Sequence, residues 1–180
     1  MIYPNDIKER NTPMLINVTG NGKGKSTSAF GTVIRALGWG WRVALLQFIK
    51  GKLETGEVRF FRSLKQENFM FEQLGTGLSW QPGNHKELAQ AGWLRAKELL
   101  QAPELQLLVL DELNIALHLK YLDIDEVVEA IRNRRDGLHV MITGRYANEK
   151  LLKISDLVSE IQAIKHPFEK GEPAIPGIDY

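Results

Sequence analysis

The fold of this chain is set by the stretch TGNGKGKST, residues 19–27. Within it, three glycines in five positions precede Lys25 and Ser26. A mostly apolar run, residues 14–18, comes before the stretch. Apolar side chains with helical spacing follow it at Ala29, Phe30, Val33, Ile34 and Leu37. A glycine-rich loop between a strand and a helix is typical of a Walker A P-loop, where backbone N–H groups and a helix N-terminus surround phosphate groups.

The residue types of this loop predict how a nucleotide is held. The Lys25 ammonium would neutralise phosphate charge, and the Ser26 hydroxyl would ligate Mg²⁺. The usual first glycine of the motif falls on Thr19, or else the loop is one residue short and begins at Gly20. The nucleotide therefore need not lie as it does in ordinary ATPases. The predicted nucleotide-binding residues are Gly20, Asn21, Gly22, Lys23, Gly24, Lys25, Ser26 and Thr27.

The rest of the chain alternates short apolar runs with segments of helical period. Further strands are predicted at residues 43–49, 107–110, 138–143 and 157–161. Further helices are predicted from Asn84, from Asp123 and over residues 149–154. This order predicts an α/β fold in which a mostly parallel sheet is flanked by helices. Ligands of such sheets bind at the carboxyl ends of the strands. The loops at these ends follow Val18, Ile49, Leu110 and Ile142.

A second motif follows the apolar run LLVL at residues 107–110, where Asp111 and Glu112 come next. This is a Walker B pattern, in which a buried strand delivers carboxylates that hold Mg²⁺ directly or through water. Either acid is also suited to cap the next helix, but beside a P-loop the pattern favours a metal site of Ser26, Asp111 and Glu112. The sequence has no Asn-Lys-x-Asp and no Asp-x-x-Gly, which argues against a Ras-type GTPase. Since only Glu112 could activate a water molecule, nucleotide binding is better supported than hydrolysis.

Length and composition exclude several classes of protein. The chain has 180 residues, the size of one domain, and we expect residues 13–180 to form it. With zero cysteines there is no disulfide framework, thiolate nucleophile or cysteine-ligated metal. The net charge of +1 predicts no nucleic-acid partner, and no apolar run is long enough to span a membrane. Because residues 1–14 lack the apolar core of a targeting signal, a cytoplasmic protein is expected.

Four strings now occur in order along the chain. They are GNGKGKST at 20–27, QFIKG at 47–51, VLDEL at 109–113 and ITGR at 142–145. With the tail strings KHPF at 165–168 and GIDY at 177–180, they closely resemble the P-loop family of ATP:corrinoid adenosyltransferases. The resemblance implies a RecA-like P-loop NTPase fold, a homodimer, and transfer of the 5′-deoxyadenosyl group of ATP to Co(I) of a corrinoid. It also implies release of intact triphosphate and a reversed direction of ATP along the loop.

In this chemistry Co(I) is itself the nucleophile that attacks C5′ of the ribose, so the protein needs no serine, cysteine or histidine nucleophile. Its tasks are positioning, charge neutralisation and exclusion of water. By resemblance, Lys23, Lys25, Arg145 and Mg²⁺ serve the triphosphate, and Glu112 is an acid near the metal and ribose. The implied catalytic residues are therefore Lys25, Glu112 and Arg145. The resemblance also implies a structural or phosphate-contacting role for Lys50 and Glu57, which lie in a stretch similar to the family's FIKG…GE.

The segment LGTGLSW, residues 74–80, is similar to a family loop that reaches the corrinoid. In the family an aromatic pair is thought to displace the lower axial ligand of cobalt. Trp80 keeps one aromatic ring, whereas Leu78 stands where some members have phenylalanine. Residues 1–12 resemble an extension that folds over the nucleotide, and we expect this segment to be flexible.

The resemblance leaves the corrinoid open between cobalamin, cobinamide and cobyrinic acid diamide, in biosynthesis or salvage. It also implies a reduced flavoprotein as electron donor. Two other functions stay open from the residues alone. One is a P-loop ATPase or small-molecule kinase, which would release ADP. The other is a non-catalytic module that binds ATP or an adenosylated corrinoid.

Overall fold

The structure, a computed structural model, describes residues 12–49, 54–75 and 84–180. This part of the chain contains six strands and six α-helices, which alternate except that two helices lie between the fourth and fifth strands. The strands are β1 Leu15–Thr19, β2 Val43–Gln47, β3 Phe69–Gln73, β4 Leu107–Asp111, β5 His139–Thr143 and β6 Leu157–Glu160. The helices are α1 Lys25–Gly38, α2 Gly56–Ser63, α3 His85–Leu100, α4 Leu113–His118, α5 Ile124–Arg132 and α6 Glu149–Ile154. A short 3₁₀ helix, Pro167–Lys170, follows β6.

The strands form one sheet in the order β3-β2-β4-β5-β1-β6, and every pairing is parallel. The predicted α/β class with a parallel sheet flanked by helices is therefore confirmed. Strand β5 lies between the P-loop strand β1 and the strand β4 that carries the acidic motif. Because all strands run in one direction, β1, β2, β4 and β5 end at the same edge of the sheet, at Thr19, Gln47, Asp111 and Thr143.

Helices cover both faces of the sheet. On one face α1 and α2 pack on side chains that include Leu45 and Val109, and on the other face the remaining helices pack on Leu46, Leu108 and Leu110. Every residue of β2 and β4 is buried, as the predicted apolar run at 107–110 requires. No helix in the described part of the chain is both long and apolar enough to cross a membrane.

Sequence patterns missed three short elements and placed one side chain wrongly. Helix α2, strand β3 and helix α4 were not predicted, because each has at most eight residues and gains its burial from distant parts of the chain. Phe61 of α2, for example, packs edge-on against Phe30 of α1 at 5.3 Å between ring centroids. Ile34, predicted on the apolar face of α1, is 53% exposed, because Ala36 and not Ile34 completes the buried face.

Candidate functional site

The loop between β1 and α1 curls around the side chain of Lys25. The Lys25 Nζ donates a hydrogen bond of 2.6 Å to the carbonyl oxygen of Gly22, and the residue is only 7% exposed. Gly24 lies in the left-handed region at a φ of 116°, where a side chain would be strained, and α1 begins after it. The first turn of α1 contains no acidic residue. The loop therefore presents a lysine and the positive end of a helix dipole at one point, as an anion site requires.

The segment after β6 supports this loop from behind. The Gly22 N–H donates to the carbonyl oxygen of Ile161 at 2.7 Å, and the Ile161 N–H donates to that of Thr19 at 2.9 Å. A Cβ on Gly22 would lie 2.6 Å from the carbonyl oxygen of Gln162. Only glycine allows this approach between two backbones, so the close contact explains why the loop has glycine at this position.

The end of the chain also reaches the P-loop. The Lys23 ammonium forms an ion pair with the carboxylate of Asp179, and both side chains are partly exposed. The hydrogen bond from Lys23 lowers the pKa of Asp179, and the N–H of Ile175 contributes to the same shift. The tail string GIDY thus contributes a carboxylate to the phosphate loop, next to the cation predicted to bind triphosphate.

The acidic motif at the end of β4 is held by its neighbours on both sides. Asp111 is fully buried; its Oδ1 accepts a hydrogen bond of 2.6 Å from the Thr143 hydroxyl, and its Oδ2 accepts one of 3.0 Å from Gln47 Nε2. The Glu112 N–H donates to the same Thr143 hydroxyl at 3.0 Å. Glu112 has a φ of 64° and precedes α4. A left-handed residue other than glycine costs about 1 kcal/mol or more and is often found at functional sites.

A pair of buried amides lies beneath these residues. Asn114 Nδ2 donates to Asn17 Oδ1 at 2.9 Å and to the carbonyl oxygen of Gly144 at 3.1 Å. Among the described residues, Asn17 Nδ2 and Asn114 Oδ1 are buried without a hydrogen-bond partner. The pair links β1, the start of α4 and the end of β5. It therefore holds the P-loop after β1, the acidic motif before α4 and the loop after β5 in fixed relation to one another. The last of these loops contains Arg145, which is exposed directly after Gly144.

The structure brings most of the predicted residues to one edge of the sheet. The P-loop follows β1, Ser26 is half-buried in the first turn of α1, Asp111 and Glu112 end β4, and Arg145 follows β5. Four predicted positions lie outside the described residues, and so does most of the N-terminal segment 1–12. These four are Lys50, Gly51, Leu78 and Trp80.

Sequence reasoning assigned no role to several polar residues of this edge, although three of them lie within the strings that carry the family resemblance. They are Asn17, Gln47, Asn114, Thr143 and Asp179. A usable signal exists for three of them, since Asn17, Gln47 and Thr143 lie in mostly apolar strands, and the structure shows all three side chains to be buried. A polar side chain in such a strand must be hydrogen-bonded, so it marks a polar site at that end of the strand.

The oxygen atoms at this edge are of the kind that Mg²⁺ prefers. The described residues contain no cluster of three or more histidine, cysteine or acidic side chains that could enclose a metal by themselves. The Ser26 hydroxyl and the carboxylates of Asp111 and Glu112 are hard donors. Because Mg²⁺ usually takes one or two carboxylates together with phosphate oxygens, this donor set fits an ion shared with a nucleotide.

Comparison with known proteins supports the same interpretation of this site. Residues 11–180 match the family described as ATP:corrinoid adenosyltransferase BtuR/CobO/CobP. A corrinoid adenosyltransferase of Pseudomonas aeruginosa is 42% identical over 170 residues, which are 93% of this chain and 83% of that protein. One from Sinorhizobium sp is 39% identical and covers 93% and 80% of the two chains. The corrinoid adenosyltransferase CobA of Salmonella typhimurium is 39% identical and covers 93% and 85%.

Proposed function

Because the chain belongs to the ATP:corrinoid adenosyltransferase family, we propose that it transfers the 5′-deoxyadenosyl group of ATP to the Co(I) centre of a corrinoid. The family predicted from the four sequence strings is thereby confirmed, and the chain is a transferase. In the reaction the cobalt electron pair forms a bond to C5′ while the C5′–oxygen bond breaks. Intact triphosphate is the leaving group, and the reaction serves cobalamin biosynthesis or salvage.

The observation that carries this proposal is the family match over a chain whose P-loop and acidic motif meet at one sheet edge. The reaction develops negative charge on the leaving triphosphate, and Lys25, the loop N–H groups and the start of α1 provide positive potential for it. Arg145 and Lys23 are two further cations of this edge, of which Lys23 is ion-paired with Asp179. The P-loop would hold the triphosphate in place and so position C5′ for attack by a nucleophile that is not a protein side chain.

Several finer assignments belong to the same proposal. Ser26, Asp111 and Glu112 would hold Mg²⁺, which supplies charge neutralisation at the phosphates when it is bound. Trp80 and Leu78 would contact the corrinoid and set its preference. The protein would be cytoplasmic, and the family resemblance implies a homodimer, a reduced flavoprotein as electron donor, and an N-terminal segment that can fold over the nucleotide.

The proposal is tested by incubating the protein with MgATP and a strongly reduced corrinoid. We expect a light-sensitive adenosylated corrinoid and one equivalent of tripolyphosphate. Release of ADP or orthophosphate without an adenosylated product would instead identify an ATPase or kinase. Tight binding of an added adenosylated corrinoid with negligible turnover would identify a carrier or sensor. Lys25→Ala serves as the negative control for nucleotide binding.

A further inference from the structure

A chain of hydrogen bonds leads from the surface of α2 to the acidic motif. Arg62 Nη2 donates to Gln73 Oε1 at 2.6 Å. Gln73 Nε2 donates to Gln47 Oε1 at 3.2 Å, and Gln47 Nε2 donates to Asp111 Oδ2 at 3.0 Å. The four side chains belong to α2, β3, β2 and β4, so these hydrogen bonds run across one end of the sheet.

The two groups at the ends of this series, the guanidinium and the carboxylate, fix the direction of every hydrogen bond between them. A guanidinium can only donate, and an ionised carboxylate can only accept. The amides of Gln73 and Gln47 therefore have a single orientation that satisfies both neighbours, with each Nε2 pointing toward Asp111. Hydrogen bonds that share one direction polarise one another and strengthen the last bond, here the one to the carboxylate.

The burial of Gln47 indicates that this arrangement has a purpose beyond folding. Gln47 is 1% exposed at the end of a strand whose other residues are apolar, and Asp111 is 0% exposed. A buried amide costs stability unless it is hydrogen-bonded, and an apolar residue would serve the core equally well. Gln47 on one oxygen and Thr143 on the other prevent the Asp111 carboxylate from rotating. The two hydrogen bonds thereby fix the orientation of that carboxylate.

We propose that Gln47, Gln73 and Arg62 are positioning residues that orient Asp111 toward the metal and triphosphate. This inference rests on the function proposed above only in assigning Asp111 to the metal. It adds that a surface arginine on α2, far along the chain from both nucleotide motifs, contributes to metal affinity. Partners that orient a metal-binding group typically change metal affinity by about 10- to 100-fold when they are replaced.

The experiment measures Mn²⁺ binding in the presence of ATP by electron paramagnetic resonance, which needs no turnover. We expect Gln47→Leu to raise the Mn²⁺ dissociation constant by about tenfold. Arg62→Met should raise it a few-fold, because it acts through two intervening amides, and Arg62→Lys should restore part of the loss. Arg59→Met is the matched control, since Arg59 is also an exposed arginine of α2 but pairs with Glu54.

Adenosyl transfer is measured in parallel with the same variants. The half-saturating Mg²⁺ concentration should rise while the KM for the corrinoid stays unchanged, which a merely structural defect would not produce. The inference is overturned if Gln47→Leu binds Mn²⁺ as the unmodified protein does, or if Arg62→Met behaves like Arg59→Met. Should Gln47→Leu fail to fold, the Arg62 variants decide. If the unmodified protein forms no adenosylated corrinoid but Mn²⁺ binding weakens as expected, the proposed function fails and the positioning role stands.

Discussion

Replacing Gly22 with alanine tests whether contact between the P-loop and the segment after β6 shapes the nucleotide site. The added Cβ would lie 2.6 Å from the carbonyl oxygen of Gln162, whereas ordinary van der Waals contact begins at 3.4 Å. Loop and tail must therefore separate by about 0.8 Å, because the obstructing atom belongs to the backbone and cannot rotate away. Such a separation stretches the 2.7 Å hydrogen bond between the Gly22 N–H and the Ile161 oxygen to the limit of hydrogen bonding.

The expected loss of stability has two parts, the weakened hydrogen bond and the overpacking that remains. The weakened hydrogen bond costs about 1 kcal/mol, and the residual overpacking costs about as much again. A total of roughly 2 kcal/mol would lower the Tm of a domain of this size by roughly 4–8 °C. Because the loop that surrounds the phosphates is displaced by nearly 1 Å, we expect ATP to bind about tenfold more weakly.

Calorimetric unfolding and ATP titration check both numbers. Gly31→Ala is the matched control, since a Cβ on Gly31 of α1 meets nothing within 4 Å. Alanine is the better helix former there and should stabilise the protein by about 0.5–1 kcal/mol without changing ATP affinity. Gly22→Ala should therefore lower the Tm, whereas Gly31→Ala should raise it. A Gly22→Ala protein with unchanged Tm and unchanged ATP affinity would refute the argument.

Three further predictions concern charge and buried polar groups. Lys25→Ala should weaken ATP binding by about 10- to 100-fold in an equilibrium titration, because it removes a charged hydrogen-bond donor from the phosphates; unchanged affinity would contradict the P-loop assignment. Since Lys23 lowers the pKa of Asp179, their ion pair is complete above the ordinary carboxyl pKa and is lost as the pH falls through the lowered value. Lys23→Met should thus raise the NMR titration midpoint of Asp179, and a constant midpoint would exclude the contact. Asn114→Ala should reduce the free energy of unfolding by about 2 kcal/mol in urea, because it leaves the Asn17 Oδ1 unpaired; Asn133→Ala, at an exposed helix end, is the control.

Local patterns predicted those parts of the site that lie within one segment. The glycines, Lys25 and Ser26 are consecutive, and their meaning depends only on a strand before them and a helix after them. The same holds for Asp111 and Glu112, which follow a strand whose apolar character is visible in four residues. The predicted residues Leu78 and Trp80, and the roles assigned to Glu112 and Arg145, remain predictions.

The partners of these residues come from distant parts of the chain, and no local pattern identifies which residues will pair. Gln47 and Asp111 are 64 residues apart, Asn17 and Asn114 are 97 apart, and Lys23 and Asp179 are 156 apart. The strand order brings Gln47 and Asp111 together, because β2 and β4 are neighbours that end at one edge, and the segments that follow the strands bring the other two pairs together. A buried glutamine or asparagine in an apolar strand indicates that a polar neighbour exists but does not identify it.

The α/β class, the phosphate loop and the family membership thus follow from the amino-acid sequence, because each depends on short-range spacing or on ordered strings. The insertion of β5 between β1 and β4, the support of Gly22 by the chain after β6, and the hydrogen-bond chain from Arg62 to Asp111 follow from folding in three dimensions. The physical reason is that the free energy of a buried polar group depends on partners that chain connectivity does not specify. Those partners exist only once the sheet has assembled.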